Sequence, residues 1–300
     1  MNEIVGAGRR PGSDSASGRV GARADAITVS HVLRLTTEHL AKKGSETPRL
    51  DAERLLSRAT GLERIELYMH LDRPLNPAEL ATARALVARR ARREPLQYVL
   101  GEWGFRRLML TVDPRALIPR PETEILVERG LALLEGRRAP SVLDVGTGSG
   151  AIALAIADEH PGAAVTGIDS SADALALAAE NVTRTGLAVQ LRRHDLFDGL
   201  PEGPWDLILS NPPYVDPSDV PTLEPEVRDW EPHAALTAEG AVEAVARGAA
   251  AVLAPGGAVA LEVGAGQAAG TCLLLEELGL VGLRVTPDLS GIDRVVEGRR

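Results

Sequence analysis

Beyond Pro140 the chain alternates between apolar runs of strand length and longer stretches of helical character, and no other feature restricts its fold as much. Strands are expected over 141–145, 163–168, 189–192, 205–209 and 258–263, with two more near Leu283 and Val295. Helices are expected between them over 151–159, 172–184, 239–253 and 268–278. A strand, a crossover helix and a second strand pack back onto one sheet as parallel neighbours. The alternation therefore predicts an α/β fold, an open and mostly parallel sheet with helices on both faces. Ligands of such sheets gather just beyond the carboxyl ends of the strands. Residues at those ends are the place to look for chemistry.

Asp144-Val145-Gly146-Thr147-Gly148-Ser149-Gly150 joins the first strand to the first helix. Its glycines let the chain turn tightly and let a ligand approach the backbone. Asp169 ends the second strand about 20 residues later, where a carboxylate can accept bonds from two ribose hydroxyls. Both a nicotinamide dinucleotide and S-adenosyl-L-methionine carry adenosine, and these two features fit either. Gly146, Gly148 and Ala151 even match the Ala form of the dinucleotide fingerprint. A dehydrogenase, however, needs a proton donor or acceptor near its hydride site. Of the six histidines only His194 and His233 fall near strand ends, and neither sits in a dehydrogenase pattern.

The fourth strand ends in Asn211-Pro212-Pro213-Tyr214, after the apolar run Trp205 to Ser210. Each Pro fixes its own φ and lacks an N–H, so no local turn competes for the carbonyls of Asn211 and Pro212. Such a loop can accept both hydrogens of a planar –NH2 group while a ring covers one face of it. Asn-Pro also starts ordinary turns, and Pro-Pro marks polyproline II loops. With only 3% aromatic residues in the chain, a Tyr at this place is less readily dismissed as filler.

Composition narrows the field. A net charge of −9 argues against nonspecific nucleic-acid binding, which needs a basic footprint. Cys272, the one cysteine, has no partner for an intramolecular disulfide, and no Cys/His cluster has metal-ligand spacing, so no metal site is expected. A reducing cytoplasm is the expected location. No apolar run approaches the ~18 residues of a membrane span. Residues 1–26 lack the apolar core of a signal peptide and read as a disordered tail.

From 27 to 94 the pattern is helical. Ser30 is expected to cap a first helix, Thr47-Pro48 to open a second, and Ile65, Leu67 and Tyr68 to lie on a shorter one. Pro77 opens a long helix ending in Arg89, Arg90, Arg92 and Arg93, read as a solvated face. Residues 105–112 suggest a hairpin. In Ile118-Pro119-Arg120-Pro121-Glu122-Thr123-Glu124, Pro121 suits the first turn of a helix and the two Glu suit its positive end.

With DVGTGSG, Asp169 and NPPY in this order, the second half resembles a class I S-adenosylmethionine-dependent methyltransferase. Pro95 to Gly101 (PLQYVLG), Leu117 to Glu124 (LIPRPETE), Leu261 to Gly264 (LEVG) and Asp288 to Arg294 (DLSGIDR) make the whole chain similar to the HemK-type release-factor glutamine N5-methyltransferases. The resemblance implies a Rossmann-like seven-stranded sheet over 121–300, a helical substrate-docking domain over 27–94, and a linker with a β-hairpin over 95–120. It implies S-adenosyl-L-methionine as cofactor, peptide chain release factors as protein substrates, and no membrane or nucleic-acid partner. The target is the Gln of a Gly-Gly-Gln loop. Gly146, Thr147, Gly148, Ser149 and Gly150 would hold the methionine part of the cofactor, Asp169 its ribose, and Leu196 its adenine, with Asn211 bordering it. Asn211, Pro212 and Tyr214 would be catalytic and, with Pro213, would bind the substrate amide. Residues 238–242 (AEGAV) depart from the family's usual turn. Alternative readings are a glutamine in a ribosomal protein, an amino group of a DNA or RNA base, and a non-catalytic adenosine-binding module.

Overall fold

The computed structural model describes residues 27–300; the tail expected over 1–26 lies outside the described residues. From its amino-terminal end run α1 (Val29–Lys42), α2 (Pro48–Thr60), α3 (Arg64–Met69), α4 (Pro77–Arg90) and α5 (Leu96–Leu100). Leu33, Leu56, Leu67 and Ala83 bury one face of these helices in a common core, and Leu40 and Leu55 join Leu96 and Val99 in a second. The cap of α1 is Thr28, not Ser30: the Thr28 hydroxyl accepts the His31 N–H at 3.3 Å. Pro48 stands in the first turn of α2 and Pro77 in that of α4, where a missing N–H costs nothing.

The arginine run is not a solvated face. Arg90 is buried, donating to Asp51 at 2.7 Å and to Glu226 at 2.8 Å. Arg93 donates to the same Glu226, and Arg89 is paired with Glu94. Arg92 alone of the four is exposed.

A hairpin of β1 (Glu102–Phe105) and β2 (Leu108–Thr111) leads to α6 (Thr123–Leu133). The chain then alternates through β3 (Ser141–Val145), α7 (Ala151–Glu159), β4 (Ala164–Asp169), α8 (Ala172–Thr185), β5 (Val189–Arg193) and β6 (Trp205–Ser210). Two short helices, α9 (Pro225–Arg228) and α10 (His233–Leu236), follow β6 and precede α11 (Ala241–Val252). The last elements are β7 (Leu253–Glu262), α12 (Ala268–Glu277), β8 (Val281–Pro287) and β9 (Asp293–Arg299).

Among the described residues these strands make a seven-stranded sheet of order β5-β4-β3-β6-β7-β9-β8. β3 through β7 are parallel, and β9 runs antiparallel between β7 and β8. Because successive strand residues face opposite sides, Val142 and Leu207 pack with α6 and α7, while Leu143 and Ile208 pack with α11 and α12. Gly130 lets α6 press onto β6: a Cβ there would stand 3.1 Å from both Leu209 methyls. The chain order reverses beside β3, so the ends of β3, β4 and β6 open onto one crevice.

Candidate active site

That crevice holds a cavity of about 320 Å³, within the ~300–1,000 Å³ usual for small-molecule sites. Its walls come from the turns after β3, β4, β5 and β6, from residues 115–120, and from the segment around α10.

The floor is built from β3. Asp144 is fully buried there, and its Oδ2 accepts the Thr147 hydroxyl at 2.6 Å and the Ala153 N–H at 3.1 Å. Its Oδ1 has no partner. Burial pushes the Asp144 carboxyl up to about 7, against the pull of those two bonds. Thr147 reaches down only because residue 167 on β4 is Gly, where a Cβ would lie 2.7 Å from the Thr147 hydroxyl. Gly148 lines the cavity with a left-handed φ of 55°, a conformation that side-chain-bearing residues rarely adopt.

Asp169 ends β4 facing this loop. One carboxylate oxygen accepts the Gly148 N–H at 2.9 Å and the other the Ser171 N–H at 2.9 Å. Burial raises its pKa, and the N–H bonds hold it back. Each oxygen keeps a further lone pair, so the carboxylate can still accept two hydroxyls. Leu196 lines the cavity, with the half-exposed ring of Phe197 beside it. His194 also lines it, but its Nε2 meets the Gly199 carbonyl at 2.7 Å, a purely local bond.

Asn211 and Pro213 line the opposite side. The Asn211 Nδ2 donates to the Thr123 hydroxyl at 3.2 Å, which leaves Oδ1 as the free end of the amide. Pro212 is buried and, with Tyr214 and Gly150, lies outside the cavity wall. Gly150 serves packing instead: a Cβ would press on Leu154 at 3.3 Å and Ala178 at 3.4 Å. The Tyr214 hydroxyl donates to Glu262 Oε1 at 3.3 Å, and burial, then the Glu262 charge, push the phenol up to about 12. Gln267 pins the loop from behind. Its Nε2 donates to the Tyr214 carbonyl at 3.0 Å and its Oε1 accepts the Gly264 N–H at 2.9 Å.

The segment after Tyr214 is fastened at both ends. Glu231, buried, accepts the Ile118 N–H at 3.2 Å and pairs with Arg120, while the Val215 N–H donates to the Leu236 carbonyl at 3.0 Å. Sequence reading missed Thr123, Glu231, Glu262 and Gln267 as parts of the site. For Glu262 a signal existed, a carboxylate at the end of the apolar run Val259-Ala260-Leu261. Among the described residues no group of three or more His, Cys, Asp or Glu could hold a metal. No helix among them is long and apolar enough to cross a membrane.

Residues 31–101 match the family model of the PrmC N-terminal domain, and residues 122–229 that of the methyltransferase small domain. A methyltransferase structure from Pyrococcus furiosus overlaps with 63% of this chain and 87% of its own, at 19% identity and a TM-score of 0.47. The release factor glutamine methyltransferase of Cereibacter sphaeroides is 44% identical over 91% of this chain and 99% of its own length. That of Geobacter sulfurreducens is 46% identical over 91% of this chain and 96% of its own. Identity at that level across nearly the full length of both partners shows that the chain belongs to the release factor glutamine methyltransferases.

Proposed function

We propose that the chain transfers a methyl group from S-adenosyl-L-methionine to the side-chain amide nitrogen (N5) of the Gln in the Gly-Gly-Gln loop of peptide chain release factors. The observation that carries this reading is the set of the Asn211 amide, with its nitrogen held by Thr123 and its oxygen left to accept. An acceptor at the end of β6, on the cavity wall, suits a substrate that presents N–H bonds.

The residues present fit the cofactor. Backbone alone borders the cavity at Gly146, where a Cβ would meet no atom within 4 Å. The turn of residues 146–149 would hold the methionine part, the Asp169 carboxylate the ribose diol, and Leu196 with the Phe197 ring the adenine. When bound, S-adenosyl-L-methionine supplies an electrophilic methyl group on a sulfonium centre.

The nucleophile is the substrate's own amide nitrogen, which takes the methyl group as the S–CH3 bond breaks and gives up one of its protons; what the protein must supply is its alignment. An amide nitrogen shares its lone pair with the carbonyl, the same resonance that gives the peptide bond its ~18–20 kcal/mol rotational barrier. In this reading the Asn211 Oδ1, on the cavity wall, accepts an N–H bond of the substrate amide, and Pro212 and Tyr214, behind that wall, support the loop that carries it. Positive charge developing on nitrogen then meets an acceptor already in place. Positioning of this kind can supply ~7–11 kcal/mol of a barrier. The helices over 27–94 would dock the release factor, residues 95–120 would link them to the catalytic part over 121–300, and the reaction would take place in the cytoplasm. No membrane or nucleic-acid partner is needed.

The test uses the purified chain, methyl-labelled cofactor and a folded release factor. Label should enter the factor and vanish when the Gln of its Gly-Gly-Gln loop is changed to Ala. Label that persists on the altered factor, or that goes to a ribosomal protein, DNA or RNA instead, overturns the reading.

A further inference from the structure

We infer that Gln267 is a positioning residue for methyl transfer: with Gly264 it fixes the far end of the loop of residues 211–214, and so sets how the Asn211 amide meets the cavity. The inference rests on the amide clamp proposed above and names what holds that clamp in place.

The loop starts from a fixed point. Ser210, the last residue of β6, pairs with Val145 and Leu261 on either side, and its hydroxyl donates to the Val145 carbonyl at 2.8 Å. Asn211 lies just beyond those last ladder pairs, so its backbone dihedrals are left to the loop. Pro212 and Pro213 each fix their own φ and restrict the residue before them. A segment this stiff passes a displacement at Tyr214 back to Asn211 instead of absorbing it. Gln267 holds that end. Its Nε2 donates to the Tyr214 carbonyl at 3.0 Å, and its Oε1 accepts the Gly264 N–H at 2.9 Å. The Gln267 N–H donates in turn to the Gly264 carbonyl at 3.1 Å, so the turn of residues 264–267 is closed twice. The side-chain amide cannot be reversed. Its oxygen would then meet the Tyr214 carbonyl, and its nitrogen the Gly264 N–H.

Neither packing nor capping calls for this side chain. Gln267 is exposed, where water could satisfy its amide. It stands at the N-cap of α12, a place that favours Ser, Thr, Asp or Asn, yet it makes no side-chain bond to that helix. Its bonds go to Gly264 and across to the loop instead. Gly264 belongs to the same device. A Cβ there would stand 3.0 Å from Gln267 Oε1 and 3.1 Å from the Tyr214 ring, so a side chain would push the amide or the ring away. Gly264 is not among the glycines of positive φ, so the close approach of the loop, and not backbone strain, is what requires Gly. The Tyr214 hydroxyl, bonded to Glu262 at 3.3 Å, ties down the ring, whereas Gln267 ties down the main chain. Both Gln267 and Gly264 stay outside the cavity wall, which separates their role from that of Asn211.

The experiment compares Gln267→Glu and Gly264→Ala with Asn211→Ala, following the single-turnover rate of methyl transfer to a release factor, the affinity for S-adenosyl-L-methionine, and melting temperature. Gln267→Glu keeps the shape of the side chain and can still accept the Gly264 N–H, but when ionised it has no hydrogen for the Tyr214 carbonyl. It and Gly264→Ala should each slow transfer about 10–100-fold, as expected when a reacting group is misplaced. Cofactor affinity should stay within about twofold of the original, because Asp169 and the turn after β3 are untouched. In an Asn211→Ala background Gln267→Glu should cost little more, since it acts through Asn211. Should Gln267→Glu fail to fold, Gly264→Ala decides the matter. A full rate in Gln267→Glu or Gly264→Ala, with Asn211→Ala crippled, overturns this inference and leaves the clamp standing. So does a rate loss matched by an equal loss of cofactor affinity, or one that persists undiminished in the Asn211→Ala background. A full rate in Asn211→Ala removes the clamp itself.

Discussion

The Arg93 guanidinium donates to both carboxylate oxygens of Glu226, at 2.7 and 2.5 Å, joining the end of the helical layer to the segment that follows Tyr214. Arg90 donates to the same Glu226 at 2.8 Å, so one carboxylate on α9 answers two cations from across the seam. Burial works to raise the Glu226 pKa, but the bonds from Arg93 and Arg90 overcome it and hold the group below its ordinary value.

Glu226→Ala should therefore destabilise the protein. Arg90 keeps Asp51, so the loss is that of charged bonds rather than of a wholly isolated charge, about 1.5–3 kcal/mol. Calorimetry should show a drop in melting temperature. A depressed folded-state pKa gives stability that is present above the unfolded value of 4.5 and lost as pH falls below it. The gap between the two proteins should close in acid. A gap that stays constant from pH 7 to pH 3 would show that the pairing is not what the carboxylate contributes.

Asp144 carries the opposite sign. Its carboxyl is raised from 3.8 to about 7, so the folded state keeps a proton that the unfolded chain has already lost. That contribution is complete below the unfolded value and disappears as pH rises through about 7. Asp144→Asn retains an oxygen for Thr147 and Ala153 but cannot ionise. It should match the original protein near pH 4 and exceed it near pH 8, by at most about 4 kcal/mol. Parallel melting curves across that range would contradict the shift.

Asp169→Ala should weaken cofactor binding by roughly 1.5–3 kcal/mol for each charge-assisted bond lost. It also strips the Gly148 N–H of its acceptor, so the glycine turn loosens as the carboxylate leaves. Titration calorimetry with S-adenosyl-L-methionine measures this directly. Unchanged affinity, or tight NADH binding by the original protein, would refute the assignment of this residue.

Asn211→Ala removes the acceptor at the end of β6 and should slow methyl transfer about 10²–10³-fold, by analogy with loss of a preorganised transition-state partner. Cofactor affinity should change far less. Single-turnover assays separate the two, and a full rate would dismiss the clamp.

Most strands and long helices of the second half were legible to within a few residues, though β7 begins at Leu253 rather than 258 and the short α9 and α10 were missed, and the reason is local. β3 and α7 are bounded by the same glycine turn, and their apolar periodicities change at that turn. The relationships that set the site are not local. Thr123 and Asn211 lie 88 residues apart and Arg93 and Glu226 lie 133 apart, and no periodicity links such pairs. The arginine run looked solvated because its acidic partner sits in α9, a four-residue helix too short to show any pattern. The resemblance makes Pro212 and Tyr214 catalytic and substrate-binding residues, but neither lines the cavity. Pro212 is buried, and the Tyr214 hydroxyl turns to Glu262 at the end of β7, which the chain supplies some 40 residues later.

Asn181 on α8, buried completely, impersonates a strand. Its Oδ1 accepts the Thr111 N–H at 2.7 Å, and its Nδ2 donates to the carbonyls of Thr111 at 3.0 Å and Ser149 at 2.9 Å. To the end of β2 this amide is a peptide group, borrowed from a helix; to the turn after β3 it is a tether. The hairpin and the glycine turn are thus strung on one side chain. Neither can tilt away from α8 without breaking a bond at Asn181, and the hairpin is mechanically part of the catalytic half.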